Sequence, residues 1–280
     1  MRFQSFKLLP DVVKNLLIIN GLFFLATIVF ENRFGIDLID MLGLHFPGAE
    51  KFHWWQFLSY MFMHGSFAHI FFNMFAVWMF GAVLENYWGS KKFIVYYVLT
   101  GIGAALTHYA IMFYEFYPVF NSIDIYILNP SFDGLNAFIN SEYFAIRSFE
   151  MKEQFALFQQ SYNELIQSGL TEDANTLSIN YLLRYKADLL NLPVVVGASG
   201  ALFGILLAYG MLFPNNVIYL YFAIPIKAKY FVMLYGALEL YSGLSNNDSN
   251  VAHFAHLGGM IFGFILIKLW KKKDFFNPYE

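Results

Sequence analysis

Cysteine is absent from this 280-residue chain, and charged residues account for only 13% of it. The absence of cysteine excludes disulfides, thiol catalysis and thiolate zinc sites. A formal net charge of −3 argues against a nucleic-acid partner, because binding nucleic acid requires many positive groups that neutralise phosphates. The sequence also has no glycine loop of the kind that cradles phosphates, and it predicts no cofactor.

Hydrophobic residues are correspondingly abundant and make up 58% of the chain. Soluble domains of this length are rarely so apolar, and runs of roughly 20 apolar residues are long enough to cross a bilayer. We therefore predict an all-α membrane protein, a bundle of six transmembrane helices in contact with lipid. The six predicted spans are 16–30, 67–84, 93–113, 194–213, 230–244 and 251–270.

A shift in composition divides the chain into three predicted domains. Residues 1–113 contain spans 1 to 3, and residues 192–280 contain spans 4 to 6. Residues 114–191 hold many acidic residues and no run of membrane length, so we predict an inserted helical subdomain. Within it, apolar residues recur at helical spacing and predict two amphipathic helices at 149–167 and 172–190. Two segments of the core are predicted without helix: a loop at 31–60, and an apolar stretch along the membrane interface at 217–229.

Positively charged residues indicate the orientation, because cytoplasmic loops carry an excess of them. One side receives Arg2, Lys91 and the lysines at 271–273, among others, whereas the short loops of the other side carry only Arg33 and Lys51. We therefore predict that both termini face the cytoplasm and that the insertion faces outward. Separately, we expect the membrane to be a bacterial cytoplasmic membrane.

In this topology the second, fourth and sixth spans all enter from the outer side. His69, Ser199 and His256 each lie within about two helical turns of that entrance. Three polar groups from three spans are thus expected to converge at one depth of the membrane.

Ser199 and His256 are the pair that predicts chemistry. Ser199 lies among small residues, Gly197-Ala198-Ser199-Gly200, at the predicted start of an apolar helix. Serine becomes a good nucleophile when a base removes its proton, and histidine titrates near neutral pH. Small residues on both spans allow the helices to approach closely, at Gly200 and Gly204 and at Gly259 and Gly263. From spacing alone, the alternative stays open that these glycines only pack helices.

His69 and Asn73 are four residues apart and share one face of a helix. Both side chains can donate a hydrogen bond to a developing oxyanion, and a preorganised donor there is worth several kcal/mol. Hydrogen bonding that merely joins helices is the alternative.

A metal site is the competing interpretation of the histidines. His64, His69, His253 and His256 can converge, but the sequence has no His-Glu-x-x-His motif and no carboxylate beside these histidines. We therefore predict no metal, and a structural role for His64 and His253.

Two further ionisable residues, His108 and Glu239, lie in predicted spans. Such residues are functional candidates by default, but we favour hydrogen-bonded groups in the bundle interior.

Together these motifs resemble those of the rhomboid intramembrane serine proteases. The resemblance rests on Gly197-Ala-Ser199-Gly200, on His64 to Asn73, on Ala255-His256 with Gly259 and Gly263, and on Glu85-x-x-Trp88-Gly89-Ser90. It implies a six-span core and a Ser–His dyad without an aspartate.

By matched position, Ser199 is the expected nucleophile and His256 the general base. The oxyanion hole is expected to consist of His69, Asn73 and the backbone N–H of Ser199. Phe203 occupies a position where many members carry a tyrosine stacked on the histidine, so the ring is kept and the hydroxyl lost. The implied function is endopeptidase cleavage of single-pass membrane proteins within their transmembrane helices. The alternatives are a catalytically silent adaptor that binds membrane helices, and a transporter.

Overall fold

Helices predominate in the computed structural model, which describes residues 6–192, 194–220, 223–245 and 250–273. The chain divides into two units. The first consists of residues 1–44, 53–111 and 195–280, and the second of residues 45–52 and 112–194.

The described helices, in chain order, are α1 Asp11–Phe34, α2 Leu38–Leu42, α3 Gln56–Ser59, α4 Phe67–Ala76, α5 Ala82–Trp88, α6 Ser90–Leu128, α7 Phe132–Ile139, α8 Phe149–Gln167, α9 Thr171–Asn191, α10 Ser199–Leu212, α11 Ala228–Leu244 and α12 Asn250–Lys273. A 3-10 turn at Tyr60–Phe62 follows α3, and a π-helical turn at Val77–Gly81 joins α4 to α5.

Among the described residues, four helical segments are long and apolar enough to cross a membrane: Asp11–Phe34, Phe67–Trp88, Ser90–Leu128 and Ala252–Lys271. They coincide with the first, second, third and sixth predicted spans. Helices α10 and α11 are shorter, at 14 and 17 residues. The count of six spans therefore stays a prediction.

The predictions for the end of the third span and for the loop at 31–60 were wrong. The third span was expected to end at residue 113, but α6 continues to Leu128 with Pro118 inside it. Its later residues Val119, Ile123 and Tyr126 stay buried, and this burial outweighs the hydrogen bond lost at the proline. The loop predicted at 31–60 contains α2, α3 and the 3-10 turn.

A β-hairpin was also missed, so the all-α prediction was wrong in detail. Strand β1, Val217–Leu220, pairs antiparallel with β2, Ile224–Lys227. Pro225 faces Tyr219 in this register. Proline is tolerated there because a strand of a two-stranded sheet has a free edge.

The second unit has its own apolar core. Helix α8 spans the predicted residues 149–167, and α9 begins one residue before the predicted start. Gly169 lies between them with φ of 75°, a conformation that favours glycine. The sequence pattern missed α7. The core is rich in aromatic rings and includes Tyr126, Phe138, Phe158, Tyr162, Leu182 and Tyr185.

In the first unit, the motif between the second and third spans holds the start of α1. The buried carboxylate of Glu85 accepts the backbone N–H groups of Val12 and Val13 at 2.9 and 2.8 Å. It also accepts the hydroxyl of Ser90 at 2.6 Å. A carboxylate is favourable there because the first N–H groups of a helix have no partner in the helix.

Glycines allow α10 and α12 to pack at backbone contact. A Cβ added at Gly259 would overlap the carbonyl oxygen of Gly200. A Cβ added at Gly204 would lie 2.7 Å from Thr100, so α6 also packs closely against α10. This close packing determines how far the side chains of α10 can be from those of α12.

The fourth predicted span was too long at its start. Val195 forms an antiparallel bridge with Leu44 through hydrogen bonds of 2.8 and 3.0 Å. Gly197 then adopts a φ of 118°, which a non-glycine residue rarely adopts. The helix therefore begins only at Ser199, after Ala198, which already has helical φ and ψ.

Candidate active site

Ser199 and His256 meet within the first unit. The hydroxyl oxygen of Ser199 lies 2.8 Å from Nε2 of His256, a hydrogen-bonding distance for a nucleophile and a base. Both side chains are partly buried. As the first residue of α10, Ser199 also has a backbone N–H without a partner in the helix.

The ring of Phe203 packs on His256. The two ring centroids are 4.3 Å apart, and the planes differ by 8°. Phe203 is buried and follows Ser199 by one helical turn, so the same helix carries the serine and supports the imidazole. Stacking limits the rotation of the imidazole.

A carboxylate lies on the other side of His256, which the sequence analysis did not expect. Glu239 Oε2 of α11 lies 3.0 Å from Nδ1 of His256 and 2.7 Å from Nδ1 of His253. The expectation that no carboxylate lies beside these histidines was therefore wrong. Glu239 is 14 and 17 residues away from them along the chain, and a sequence gives no register between two helices.

The same three side chains form the one group among the described residues with ligand atoms arranged for a metal ion. One ligand atom each from Glu239, His253 and His256 lies within 4.8 Å of the others. Carboxylate oxygen and imidazole nitrogen are suitable ligands for zinc. A metal bound to Nδ1 of His256 would place the remaining ring hydrogen on Nε2, where it would prevent that nitrogen from acting as a base.

His69 and Asn73 surround the backbone two residues before Ser199. A Cβ added at Gly197 would lie 2.7 Å from His69 Nε2 and 3.5 Å from Asn73 Nδ2. Gly197 is held by a hydrogen bond of 2.9 Å from its N–H to the carbonyl of Tyr60. Two side-chain donors thus lie beside the segment that leads into Ser199.

His64 positions the amide of Asn73. Asn73 Nδ2 lies 3.1 Å from His64 Nε2, and both residues are buried. Burial, with the nearby His69, lowers the pKa of His64 to about 4, so this imidazole is neutral and accepts the hydrogen bond. An amide nitrogen has two hydrogens, and the second remains available to the site.

A small pocket lies next to Ser199. Its lining includes Tyr60, His108, Val196 and Gly200. His108 and Ser199 therefore line the same pocket. The hydroxyl of Tyr60 donates to the carbonyl of Gly101 at 2.7 Å, which fixes one side of the pocket.

Comparison with known proteins identifies the family. The Rhomboid domain matches residues 51–118 and 165–273, more than half of the chain. This chain belongs to the rhomboid family. With its apolar helices, it is an integral membrane protein.

Several relatives are named as proteases. The chain is 27% identical over 114 residues to the rhomboid protease GlpG of Haemophilus influenzae, covering 40% of this chain and 51% of that one. It is 32% identical over 69 residues to the rhomboid protease AarA of Providencia stuartii, covering 25% and 24%. It is 41% identical over 68 residues to the GlpG of Salmonella newport, covering 24% of each. The matches thus span between about a quarter and a half of the length of these relatives.

Proposed function

We propose that this rhomboid protein is an intramembrane serine endopeptidase that cleaves transmembrane helices of single-pass membrane proteins. The observation that carries the proposal is the 2.8 Å distance between Ser199 Oγ and His256 Nε2. The relatives named as rhomboid proteases support it.

In the first step, His256 Nε2 takes the proton of Ser199 while Oγ attacks the carbonyl carbon of a peptide bond. The imidazolium then gives that proton to the leaving amine, and an acyl ester on Ser199 remains. A water molecule, deprotonated by the same nitrogen, hydrolyses the ester and restores the serine.

The negative charge that develops on the carbonyl oxygen needs donors. We assign this role to His69 Nε2, Asn73 Nδ2 and the backbone N–H of Ser199, because the two side chains lie beside Gly197, two residues before the nucleophile. Loss of one such donor in a serine protease costs about 10²- to 10³-fold in turnover.

The length of α10 supports cleavage below the membrane surface. A helix of 14 residues is about 21 Å long, whereas the hydrocarbon core is about 30 Å thick. If α10 ends at the cytoplasmic face, Ser199 lies several ångströms inside the outer one. The amides of a substrate helix are hydrogen-bonded, so a substrate must unwind locally before attack. We therefore propose substrates with small or helix-breaking residues near the outer face.

The chemistry assigns no step to a metal or a cofactor. We propose the orientation given by the positive residues, with both termini in the cytoplasm of a bacterial cell and the active-site opening outward.

Cleavage of a model substrate in liposomes tests the proposal. The substrate is a single-pass protein with Gly, Ser and Pro at the outer end of its transmembrane helix, and a matched version carries Leu at these positions. We expect the wild type to cleave the first substrate much faster, and Ser199→Ala to cleave neither. Binding without cleavage by the wild type would instead support an adaptor.

A further inference from the structure

A chain of three side chains ends at the nucleophile. Glu239 Oε2 contacts His256 Nδ1 at 3.0 Å, and His256 Nε2 contacts Ser199 Oγ at 2.8 Å. The two contacts use opposite nitrogens of one ring. We infer that Glu239 is a positioning residue for His256, so that the site works as a Ser-His-Glu triad whose acidic member comes from α11. This inference rests on the proposed protease function.

The contact between Glu239 and His256 first determines which ring nitrogen of His256 carries the hydrogen. An ionised carboxylate has no hydrogen and can only accept, so His256 Nδ1 must be the nitrogen that carries the hydrogen. Nε2 then has a free electron pair directed at the hydroxyl of Ser199. Without the carboxylate, the neutral ring can place its hydrogen on Nε2 instead, and that tautomer cannot take a proton from serine.

The charge of the imidazole is the second property that the contact with Glu239 affects. When His256 accepts the proton of Ser199 it becomes a cation, and it does so in a partly buried site. A carboxylate 3.0 Å away stabilises that cation, because the attraction is strong where water is scarce. Glu239 itself is well shielded, with 13% of its side chain exposed.

The packing of α11 on α12 explains why the carboxylate stays in place. Gly236, Glu239 and Gly243 lie on one face of α11, at spacings of three and four residues. A Cβ added at Gly243 would lie 3.2 Å from the ring of Phe254, and one at Gly236 would lie 3.3 Å from Met260 Cε. The two glycines thus allow this face to approach α12 on both sides of Glu239.

His253 anchors the same oxygen from the turn before His256. Its Nδ1 lies 2.7 Å from Glu239 Oε2, closer than that of His256. The carboxylate therefore has two donors, and one of them is not involved in proton transfer. We expect His253 to keep Glu239 oriented while His256 gains and loses its proton.

The test uses the full chain in detergent and a fluorescent fluorophosphonate, which forms a covalent bond with an activated serine. The dependence of labelling on probe concentration gives the maximal rate constant, kinact, and the probe affinity, KI. Glu239→Gln keeps the shape and removes the charge. We expect it to lower kinact at least about tenfold with KI unchanged; in soluble Ser-His-Asp proteases the equivalent amide costs about 10⁴-fold. Glu239→Asp retains a carboxylate and should recover part of the rate.

Glu85→Gln is the matched control, because Glu85 is also a buried carboxylate in the same unit but contacts the start of α1. We expect this variant to lower thermal stability and to leave kinact unchanged. If kinact of Glu239→Gln fell only because the protein is less stable, kinact of Glu85→Gln would fall as well.

Nitrogen NMR of ¹⁵N-histidine in the wild type provides a second readout that needs no activity. The chain has seven histidines, and the signals of His256 are assigned by their loss in His256→Gln. We expect the hydrogen on Nδ1. A hydrogen on Nε2 in the wild type, or an unchanged kinact in Glu239→Gln, would overturn the inference. Absence of labelling in the wild type would instead contradict the protease function, and the NMR result would still decide the role of Glu239.

Discussion

Gly259→Ala changes the packing of the two helices that carry the proposed nucleophile and base. The added Cβ would overlap the carbonyl oxygen and carbon of Gly200. A backbone carbonyl cannot rotate away as the end of a side chain can, so α10 and α12 must separate by about 1 Å, a displacement that costs about 10²-fold in rate when it misplaces reacting groups.

The separation of α10 from α12 would directly increase the distance between Ser199 and His256. Ser199 precedes Gly200, and His256 lies one helical turn before Gly259, so the hydrogen bond of 2.8 Å would lengthen with the helices. At about 3.8 Å the contact is outside the range of hydrogen bonds. We therefore expect kinact for the fluorophosphonate to fall about 10²-fold.

Gly21→Ala is the control, because Gly21 lies within α1 and no neighbouring atom lies within 4 Å of the Cβ added there. It should label at close to the rate of the wild type. Both variants are compared after their folded fraction has been measured by thermal unfolding. A Gly259→Ala protein that is folded and labels at the wild-type rate would refute the argument that close packing of α10 on α12 determines the distance between Ser199 and His256.

Four further predictions use the same assay or a stability measurement. Gly197→Ala should lower kinact, since its Cβ would displace His69, the proposed oxyanion donor. Gly65→Ala, with open space around it, should not lower kinact; equal rates would contradict this. Phe203→Ala should lower kinact more than Phe203→Tyr, because only the tyrosine keeps the stacked ring; equal losses would argue against a role for stacking. The pKa of His64 is lowered in the folded state, so the unfolded chain binds more protons below pH 6.5 and the free energy of unfolding falls as the pH decreases. By pH 5 the loss of unfolding free energy should be about 2 kcal/mol larger in the wild type than in His64→Gln. Equal losses would contradict the lowered pKa. EDTA should leave labelling unchanged, and a loss restored by zinc would show that a metal takes part.

The sequence indicated that Ser199 and His256 lie close together, but it did not indicate the detailed geometry of the candidate site. Ser199 and His256 could be paired because glycines on both spans indicated close helix packing, and the overlap expected at Gly259 shows how close that packing is. The start of α10 could not be predicted, because the bridge between Leu44 and Val195 joins segments 151 residues apart and only the fold brings them together.

Glu239 shows more clearly what the sequence could not predict. Its position in an apolar helix marked it as unusual, and the sequence analysis interpreted it as a hydrogen-bonded interior group. The hydrogen bonds are present, but their partners depend on the rotation of α11 against α12, which hydrophobic periodicity leaves open. The β-hairpin was missed for a similar reason, since its four-residue strands are too short to show a periodic pattern.

The central claim is that His256 activates Ser199, and the site of covalent modification tests it most directly. The full chain is treated with fluorophosphonate, digested and examined by mass spectrometry. We predict a single adduct on Ser199 in the wild type and none in His256→Ala. No adduct in the folded wild type, or an adduct on Ser199 that forms equally fast without His256, would contradict the claim.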